Sequence, residues 1–321
     1  MQGLQASQSG NKYGQSSLLV RCSVLRIAYC MLVYKNPEQV SRLIERIYSP
    51  SDYFYVHRDK RREGVLRKYG RCPSDERWEG LLRKYRNGNV LFASKYKTPR
   101  CSFKVVEGVL DAMNYCRHFD YDYFVFLSGQ CYPIKPVSKI KDELARRSVA
   151  YMEYFRLPSS HWEGENAGLD RIRYYHIATG DERCGIRIPR LNRTLPYGLQ
   201  PYGGGYHCCL PRRFVEYVQD YVSNHPKIIS FYRYCWMPAE MFFHTIIMNS
   251  ALKCDVVNDH RWYIRWLRRG HPRWLGHGHP AILRKEDFND IMRSDKLFAR
   301  KFDISIDRDV LDLIDREIQR D

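Results

Sequence analysis

The sequence lacks the motifs that mark the commonest nucleotide-binding and metal-binding sites. Its 321 residues contain no GxGxxG fingerprint and no Walker-type phosphate loop, so neither a dinucleotide site nor a P-loop is predicted. The eleven cysteines include no CxxC pair and no Cys/His cluster with zinc-finger spacing. Most of them are predicted to be buried as small apolar residues, with room for a disulfide or two. Cys208 and Cys209 are adjacent in a strand-like run and should point to opposite faces.

A long uninterrupted hydrophobic run is also missing. The most apolar N-terminal stretch, residues 18–34, is broken by Arg21 and Arg26, and it lacks the small-residue cleavage site of a signal peptide. Residues 1–24 are rich in Gln, Ser and Gly and are predicted to be a disordered lead-in. The expected location is therefore cytoplasmic or peripheral to a membrane, with the Golgi lumen expected only if an anchor is missing from this sequence.

Acidic residues are in short supply relative to basic ones. The chain has 53 Lys and Arg against 36 Asp and Glu, a formal net charge of +17. Such a charge attracts polyanions, anionic membrane surfaces and phosphorylated small molecules. The basic residues are scattered and form no basic amphipathic helix or arginine-rich tail, so no nucleic acid partner is expected. Peripheral contact with an anionic membrane is kept as a candidate interaction.

What the sequence does contain is a repeated strand–helix–strand pattern. Residues 26–34 and 53–57 are apolar runs typical of buried strands, and residues 89–94 and 121–127 form a second such pair. In the first helix between them, Asn36 is the predicted N-cap, with Pro37 at the first position and Gln39 completing a capping box. Ser102 is the predicted cap of the second helix. These units predict an α/β fold with a mostly parallel sheet flanked by helices.

Ligands of open parallel sheets bind beyond the carboxyl ends of the strands. Tyr34 lies at one such end, and His57 and Asp59 lie at the next. We therefore predict a nucleotide site there. The pair Ser128-Gly129 follows the strand at 121–127, where small residues either let the backbone approach a ligand or form an ordinary tight turn.

Residues 157–201 have no regular pattern but are rich in Trp, Tyr and Arg, which predicts a functional loop rather than disorder. Arg173 lies there among flat aromatic residues that suit a sugar ring and equally suit plain loop packing. The following run at 203–205, three glycines, predicts close approach of the backbone to a substrate. Trp266 ends an aromatic patch that starts at 262.

Glu240 is the candidate general base. Pro238 suits the first turn of a helix, and the apolar residues from 242 to 247 recur at the spacing of one helical face. A carboxylate in the first turn is stabilised by the free N–H groups of the helix, and a carboxylate kept ionised is a usable base. Taken alone, the same residue also fits an ordinary solvated position.

The order of these motifs resembles the core-2/I-branching β-1,6-N-acetylglucosaminyltransferases and their peptide O-xylosyltransferase relatives. The most specific stretches are residues 298–303, FARKFD, and 127–130, LSGQ. The full set of matching stretches covers most of the chain in the family's order: 27–60, 122–133, 202–218, 238–240, 263–266 and 297–303.

The resemblance implies a GT-A-like, Rossmann-like fold in one large domain at 25–321, with a nucleotide-binding half at about 25–150 and an acceptor and catalytic half at about 151–321. It implies inverting transfer of a sugar, GlcNAc or xylose, from a UDP-sugar donor to a hydroxyl of a glycan or protein acceptor. Glu240 matches the catalytic base, and Lys301 matches a basic residue on the donor diphosphate. The remaining expected site residues are Val33, Tyr34, Asp59, Ser128 and Gly129 for the donor and Arg173, Gly204 and Trp266 for the acceptor or sugar.

No metal or other cofactor is expected. Two stretches match Asp-x-Asp, a pattern that can hold a divalent metal. The one at 120–122 leads into a strand and so lies at the wrong end of it for a ligand site. The one at 307–309 begins the terminal helix, where acidic residues are ordinary caps. The resemblance also implies a metal-independent reaction.

The sequence departs from the family at several positions. Ala239 stands where an acidic residue usually precedes the base, and Cys131 stands where Asp is frequent. A second diphosphate-binding Arg near residue 278 is unmatched, with Arg273, His277 and His279 as substitutes. Two alternatives stay open: the net charge of +17 also suits a basic, non-catalytic protein that binds polyanions or glycans, and Ala239 and Cys131 also suit an inactive family member that binds UDP-sugar.

Overall fold

The computed structural model describes residues 25–60, 73–85, 88–162, 165–178, 185–188, 191–267 and 279–319. Within these ranges the strands are β1 (Ile27–Val33), β2 (Tyr53–Arg58), β3 (Val90–Ala93), β4 (Tyr123–Ser128), β5 (Cys131–Pro133), β6 (Ala150–Met152), β7 (Phe155–Arg156), β8 (Tyr175–Ile177), β9 (Ile186–Ile188), β10 (Tyr202–Gly203), β11 (Cys208–Pro211), β12 (Val256–Val257), β13 (Trp262–Ile264) and β14 (Phe298–Arg300). The α-helices are α1 (Pro37–Ile47), α2 (Pro73–Lys84), α3 (Lys104–Cys116), α4 (Val137–Arg146), α5 (Asp170–Arg173), α6 (Arg212–Asn224), α7 (Pro226–Tyr232), α8 (Phe242–Met248), α9 (Phe288–Arg293) and α10 (Asp309–Ile318). Short 3₁₀ segments lie at Glu165–Gly168, Pro196–Gly198, Pro238–Glu240, Ala251–Asp255 and Lys285–Asp287.

The main sheet has seven strands in the order β12-β6-β11-β4-β1-β2-β3. Neighbours from β4 to β3 run parallel, as do β6 and β12, whereas β11 runs antiparallel to both β4 and β6. The predicted α/β class with a mostly parallel, helix-flanked sheet is confirmed. Because β1 lies between β2 and β4, the carboxyl ends of three strands meet at one edge.

Residues of β1 alternate between two apolar cores on opposite faces of the sheet. Ile27, Tyr29 and Met31 join the core that α1 and α10 cover, whereas Ala28 and Cys30 join the core that α3, α6 and α8 cover. This two-residue period is the pleat of a strand, and burial on both faces explains the unbroken apolar run.

The cysteines follow the same pleat. Cys208 packs into one core and Cys209 into the other, as their adjacency predicted. Seven thiols are free in the described part of the chain, and six of them are buried; Cys101 is disulfide-bonded. None of the described helices is long and apolar enough to cross a lipid bilayer.

The predicted capping box of α1 was wrong. Asn36 has φ 53°, and its amide donates to Asp303 Oδ1 at 2.7 Å instead of capping the helix. The buried Gln39 donates to Gly129 O at 2.7 Å and accepts from Ile304 N at 2.8 Å. The two predicted capping residues, Asn36 and Gln39, therefore connect α1 to the turn after β4 and to the C-terminal segment. A buried amide needs hydrogen-bond partners, and here these partners lie far away in sequence.

Other local predictions also shift. Ser102 does not cap α3, because its hydroxyl donates to Pro99 O at 2.9 Å. The region from Ala251 to Asp255 is a 3₁₀ segment that precedes the short β12. All seven residues of α8 are buried, including the polar His244 and Thr245, so the helix is buried on every side rather than along one face.

A second sheet, β13-β14-β5, brings the C-terminal region to the ligand edge of the first. β5 follows β4 directly, and β14 pairs antiparallel with it, with Arg300 opposite Cys131. Beyond this pair, Phe302 N donates to Gln130 O at 2.9 Å. Lys301 therefore lies within a few ångströms of the carboxyl end of β4, although about 170 residues separate them in sequence.

Candidate active site

The predicted donor residues at the strand ends are neighbours in the structure. Asp59 N donates to Val33 O at 2.8 Å, and Gly129 N donates to Leu32 O at 3.2 Å. Ser128 lies opposite Leu32 in the parallel register of β1 and β4. The Val33 side chain is packed in the core, so only its backbone reaches the edge.

His57 and Asp59 hold the loop that follows β3 over this edge. His57 Nε2 accepts from the backbone N–H groups of Lys95 at 3.2 Å and Tyr96 at 3.1 Å, and its ring stacks on Tyr96. Burial lowers the pKa of His57, which keeps the imidazole neutral and able to accept. Asp59 Oδ1 accepts from Thr98 N at 3.3 Å. The sequence did not indicate Tyr96 as a residue of this site.

Tyr34 links the strand ends to the C-terminal segment. Its hydroxyl donates to Gln130 Oε1 at 3.0 Å, and Gln130 Nε2 donates to Phe302 O at 3.2 Å. Tyr34 stays 36% exposed, and Lys35 Nζ lies 5.7 Å from the centroid of its ring.

Four cations converge beside this segment, and we call Lys35, Arg100, Arg300 and Lys301 the basic cluster. Burial and then the charges of Arg300, Lys35 and Arg100 lower the pKa of Lys301, and Asp303 raises it; the net pKa is about 8. Lys35 forms an ion pair with Asp303. Packing like charges together is costly unless an anion is bound among them, so the arrangement fits a polyphosphate ligand.

Arg300 was not among the residues predicted for the site. Its guanidinium lies over the ring of Tyr206 at 5.4 Å, and Nη1 lies 3.2 Å from His207 Nδ1. Burial lowers the pKa of His207 well below its usual value, so the neutral ring accepts from Arg300. For Arg300 itself, burial lowers the pKa, but Tyr206, Cys131 and Glu240 together raise it. The candidate base is therefore close enough to act electrostatically on the basic cluster.

Glu240 ends the 3₁₀ segment that begins at Pro238, two residues before α8, rather than lying inside the first turn of an α-helix. Its Oε2 accepts from Arg171 Nη1 at 2.6 Å, and only 17% of its side chain is exposed. Its backbone carbonyl accepts from Gly204 N at 3.0 Å. The solvated first-turn glutamate considered as the alternative does not describe this residue, because its carboxylate is largely enclosed and ion-paired.

The three consecutive glycines have a packing reason. A Cβ on Gly203 would lie 2.3 Å from the Trp162 ring, and one on Gly204 would lie 2.1 Å from Glu153 O. A Cβ on Gly205 would lie 3.0 Å from the Glu153 carboxylate. Gly129 is similar, because its Cβ would meet Val33 and Val40 side chains at 3.2 Å. The close approach predicted for these glycines is therefore to protein groups, and a sugar-binding role for Gly204 stays a prediction.

Gly204→Ala is expected to reduce the free energy of unfolding by about 1–3 kcal/mol, the usual scale of overpacking, because the backbone of Glu153 blocks the new methyl group. Urea denaturation measures this. Gly80→Ala is the matched control: nothing lies within 4 Å of the new Cβ in α2, so stability should rise by about 0.5–1 kcal/mol. A Gly204→Ala protein as stable as its parent would contradict the packing described here.

Two predicted acceptor residues lie further out. Arg173 is exposed at the end of α5, and Trp266, 54% exposed, bridges to Pro280. Their roles stay predictions. Of the suggested substitutes for a second diphosphate-binding Arg, Arg273 and His277 lie outside the described residues, and His279 Nδ1 lies 3.3 Å from Arg100 in the basic cluster.

The two Asp-x-Asp matches lie where the sequence placed them. Asp122 accepts from Arg26 N at 2.7 Å, and Asp120 pairs with the Arg26 guanidinium, at the amino end of β4 and opposite the candidate site. Asp307 accepts from Val310 N at 3.0 Å at the start of α10. Across the described ranges, no group of three or more His, Cys, Asp or Glu side chains has the geometry to hold a metal ion.

Comparison with known proteins gives one family match. The family model described as "Branch: Core-2/I-Branching enzyme" matches residues 27–292. Human "Xylosyltransferase 1" is 26% identical over 311 residues, which cover 91% of this chain and 30% of the relative. Dog "Xylosyltransferase 2" is 27% identical over 306 residues, covering 91% of this chain and 33% of the relative. The chain thus spans about a third of the length of the curated relatives it matches.

Among solved structures, mouse "Xyloside xylosyltransferase 1, apo form" aligns with 86% of this chain and 97% of its own, at 11% identity and a TM-score of 0.39.

Proposed function

This chain belongs to the Core-2/I-Branching enzyme family, and on that premise we propose that it is an inverting glycosyltransferase. It transfers a sugar from a UDP-sugar to a hydroxyl group of a glycan or protein acceptor. The observation that carries the proposal is that an enclosed carboxylate, Glu240, lies beside the segment that contacts the basic cluster. Its backbone carbonyl accepts from Gly204 N at 3.0 Å, and the ring of Tyr206, two residues further on, lies 5.4 Å from the Arg300 guanidinium.

Glu240 and the basic cluster suit the two sides of one displacement reaction, the attacking hydroxyl and the leaving diphosphate. Glu240 takes the proton of the acceptor hydroxyl while that oxygen forms a bond to the anomeric carbon of the donor sugar. The bond between that carbon and the diphosphate oxygen breaks, and its electron pair leaves with UDP. The basic cluster stabilises the charge that develops on the diphosphate. Attack from the face opposite the leaving group inverts the anomeric configuration.

Metal independence is part of the proposal, because four protein cations supply the charge that a divalent ion supplies elsewhere. Transfer is expected to persist in excess EDTA, measured as UDP release with donor and acceptor present. Loss of activity in EDTA that Mn²⁺ restores would contradict this part and leave the transferase proposal intact. Such a metal requirement is unexpected, because the Asp-x-Asp pair Asp120 and Asp122 lies at the amino end of β4, away from the candidate site.

The donor sugar is proposed to be xylose first and GlcNAc second. Similar proteins are named xylosyltransferases, and the family name refers to branching enzymes. A screen of UDP release with UDP-xylose, UDP-GlcNAc, UDP-glucose and UDP-galactose, each with peptide and glycan acceptors, tests the proposal. Turnover with UDP-xylose, or failing that with UDP-GlcNAc, supports the proposed donor, whereas turnover only with UDP-glucose or UDP-galactose would contradict it and leave the transferase proposal intact. Binding of UDP-sugar without turnover would support the inactive-member alternative, and binding of polyanions alone, weakening steeply with salt, would support the binding-protein alternative.

A further inference from the structure

The guanidinium of Arg171 lies between two indole rings. Its central carbon is 3.6 Å from the ring centroid of Trp162 and 4.8 Å from that of Trp236, and only 11% of the side chain is exposed. Because both faces of the planar group are covered by aromatic rings, its N–H donors act only along its edge. Along that edge, Nη1 meets Glu240 Oε2 at 2.6 Å.

The surrounding chain is built to hold this stack. The Trp162 ring fits against Gly168 and Gly203, where a Cβ would come within 2.5 Å and 2.3 Å of it, and Phe155 packs edge-on at 5.0 Å. The backbone also joins the two partners, since Trp236 N donates to Arg171 O at 2.9 Å. Two contacts thus hold α5 against the segment that leads into Glu240: the backbone hydrogen bond from Trp236 to Arg171, and the stacking of the Arg171 side chain on the Trp236 ring.

We propose that Arg171 is a positioning residue for Glu240, an inference that rests on the proposed function. A carboxylate has two oxygens, and Arg171 occupies Oε2. Within the part of the chain that the structure describes, no hydrogen bond reaches Oε1. Arg171 therefore fixes the rotation of the carboxylate and presents Oε1 to the acceptor hydroxyl. Oε1 receives the proton, Glu240 becomes neutral, and Arg171 keeps its charge throughout.

The neighbouring Arg173 does not take this role. Two residues along a helix turn the side-chain direction by about 200°, so Arg171 and Arg173 face opposite ways. The structure places the first in the aromatic stack and the second in solvent.

The test compares Arg171→Gln and Arg171→Lys with the parent. Arg171→Gln should reduce kcat about 10- to 100-fold while the KM for UDP-sugar and the affinity for UDP stay within about twofold, because orientation of the base is lost and the donor site is untouched. Arg171→Lys should recover only a small part of kcat, since a point charge cannot lie flat between two rings. Full recovery by Lys would overturn the orientation argument. The exposed Arg233→Gln is the control and should be unchanged.

A double-mutant cycle separates this inference from the proposed function. If Arg171 acts through Glu240, adding Arg171→Gln to Glu240→Gln should change kcat less than about threefold. An undiminished further loss in that background would show that Arg171 acts independently, which overturns the inference but leaves Glu240 as the base. No transfer by the parent, or parent rates in Glu240→Gln alone, would instead overturn the proposed function.

Arg171→Gln leaves a gap between two rings, and the variant is checked by thermal unfolding. If it does not fold, Trp162→Phe is used, which keeps Arg171 and shrinks one face of the stack. A loss of kcat with an unchanged donor KM supports the inference in that variant. A parent kcat there, with Glu240→Gln inactive, overturns it.

Discussion

A Glu240→Gln protein is expected to bind UDP-sugar like its parent and to transfer sugar roughly 10²- to 10⁴-fold more slowly, the usual scale for losing a positioned base. Glutamine keeps the length of the side chain and still accepts a hydrogen bond from Arg171, but it cannot take up the acceptor proton. Donor binding persists because the basic cluster and the strand ends are unchanged. UDP release in steady state and UDP titration by calorimetry measure the two quantities.

Stability changes are expected to be small in the same variant. The substitution removes the negative charge but keeps a hydrogen bond from the charged, largely buried Arg171 to the amide oxygen, so the expected cost is about 1 kcal/mol. Glu216→Gln is the matched control, because Glu216 also pairs with an arginine, Arg212, but on the exposed face of α6. It should transfer at the parent rate. A Glu240→Gln protein that folds, binds donor and transfers at the parent rate would refute the base assignment.

The parts of the site predictable from sequence are those that follow from one strand or one motif. Unbroken apolar runs such as Ile27–Val33 indicated buried parallel strands, and the edge rule then placed Asp59 and Ser128 together. The resemblance to a family singled out Glu240 and Lys301. Phe298 and Phe302, which flank Lys301, are fully buried, as their apolar character required.

The parts that could not be predicted depend on contacts between distant segments. In the sequence nothing distinguishes Arg171 from the nearby Arg173. Only the structure shows that Arg171 is the arginine that lies against the rings of Trp162 and Trp236. Asn36 and Gln39 fit the sequence pattern of a capping box. In the structure their side chains instead form hydrogen bonds with partners more than 250 residues away, because those bonds satisfy buried polar groups. The glycines at 203–205 indicate that another group lies close to the backbone, but the sequence does not show that this group is the Trp162 ring or Glu153.

Lys301→Met is expected to weaken UDP binding roughly 10- to 100-fold at pH 7, because a charge-assisted contact of about 1.5–3 kcal/mol is removed. Methionine fills similar space without charge. Thermal stability should stay near that of the parent, since the variant also removes the repulsion of Lys301 by Arg300, Lys35 and Arg100. Lys227→Ala, an exposed lysine in α7, serves as the control and should bind UDP normally. Unaltered UDP affinity in Lys301→Met would refute the assignment.

The same residue predicts a pH dependence. With its pKa lowered to about 8 in the free protein, Lys301 loses its proton as the pH rises through that value. The bound diphosphate favours the ammonium form, so the pKa is higher in the complex and binding takes up a proton above pH 8. UDP affinity of the parent should therefore fall as pH rises from 7.5 to 9.5, approaching tenfold per unit at most. Calorimetry in buffers of different ionisation enthalpy measures the proton uptake directly. Lys301→Met should show neither the uptake nor the decline, and a decline of equal size in that variant would place the titrating group elsewhere in the basic cluster.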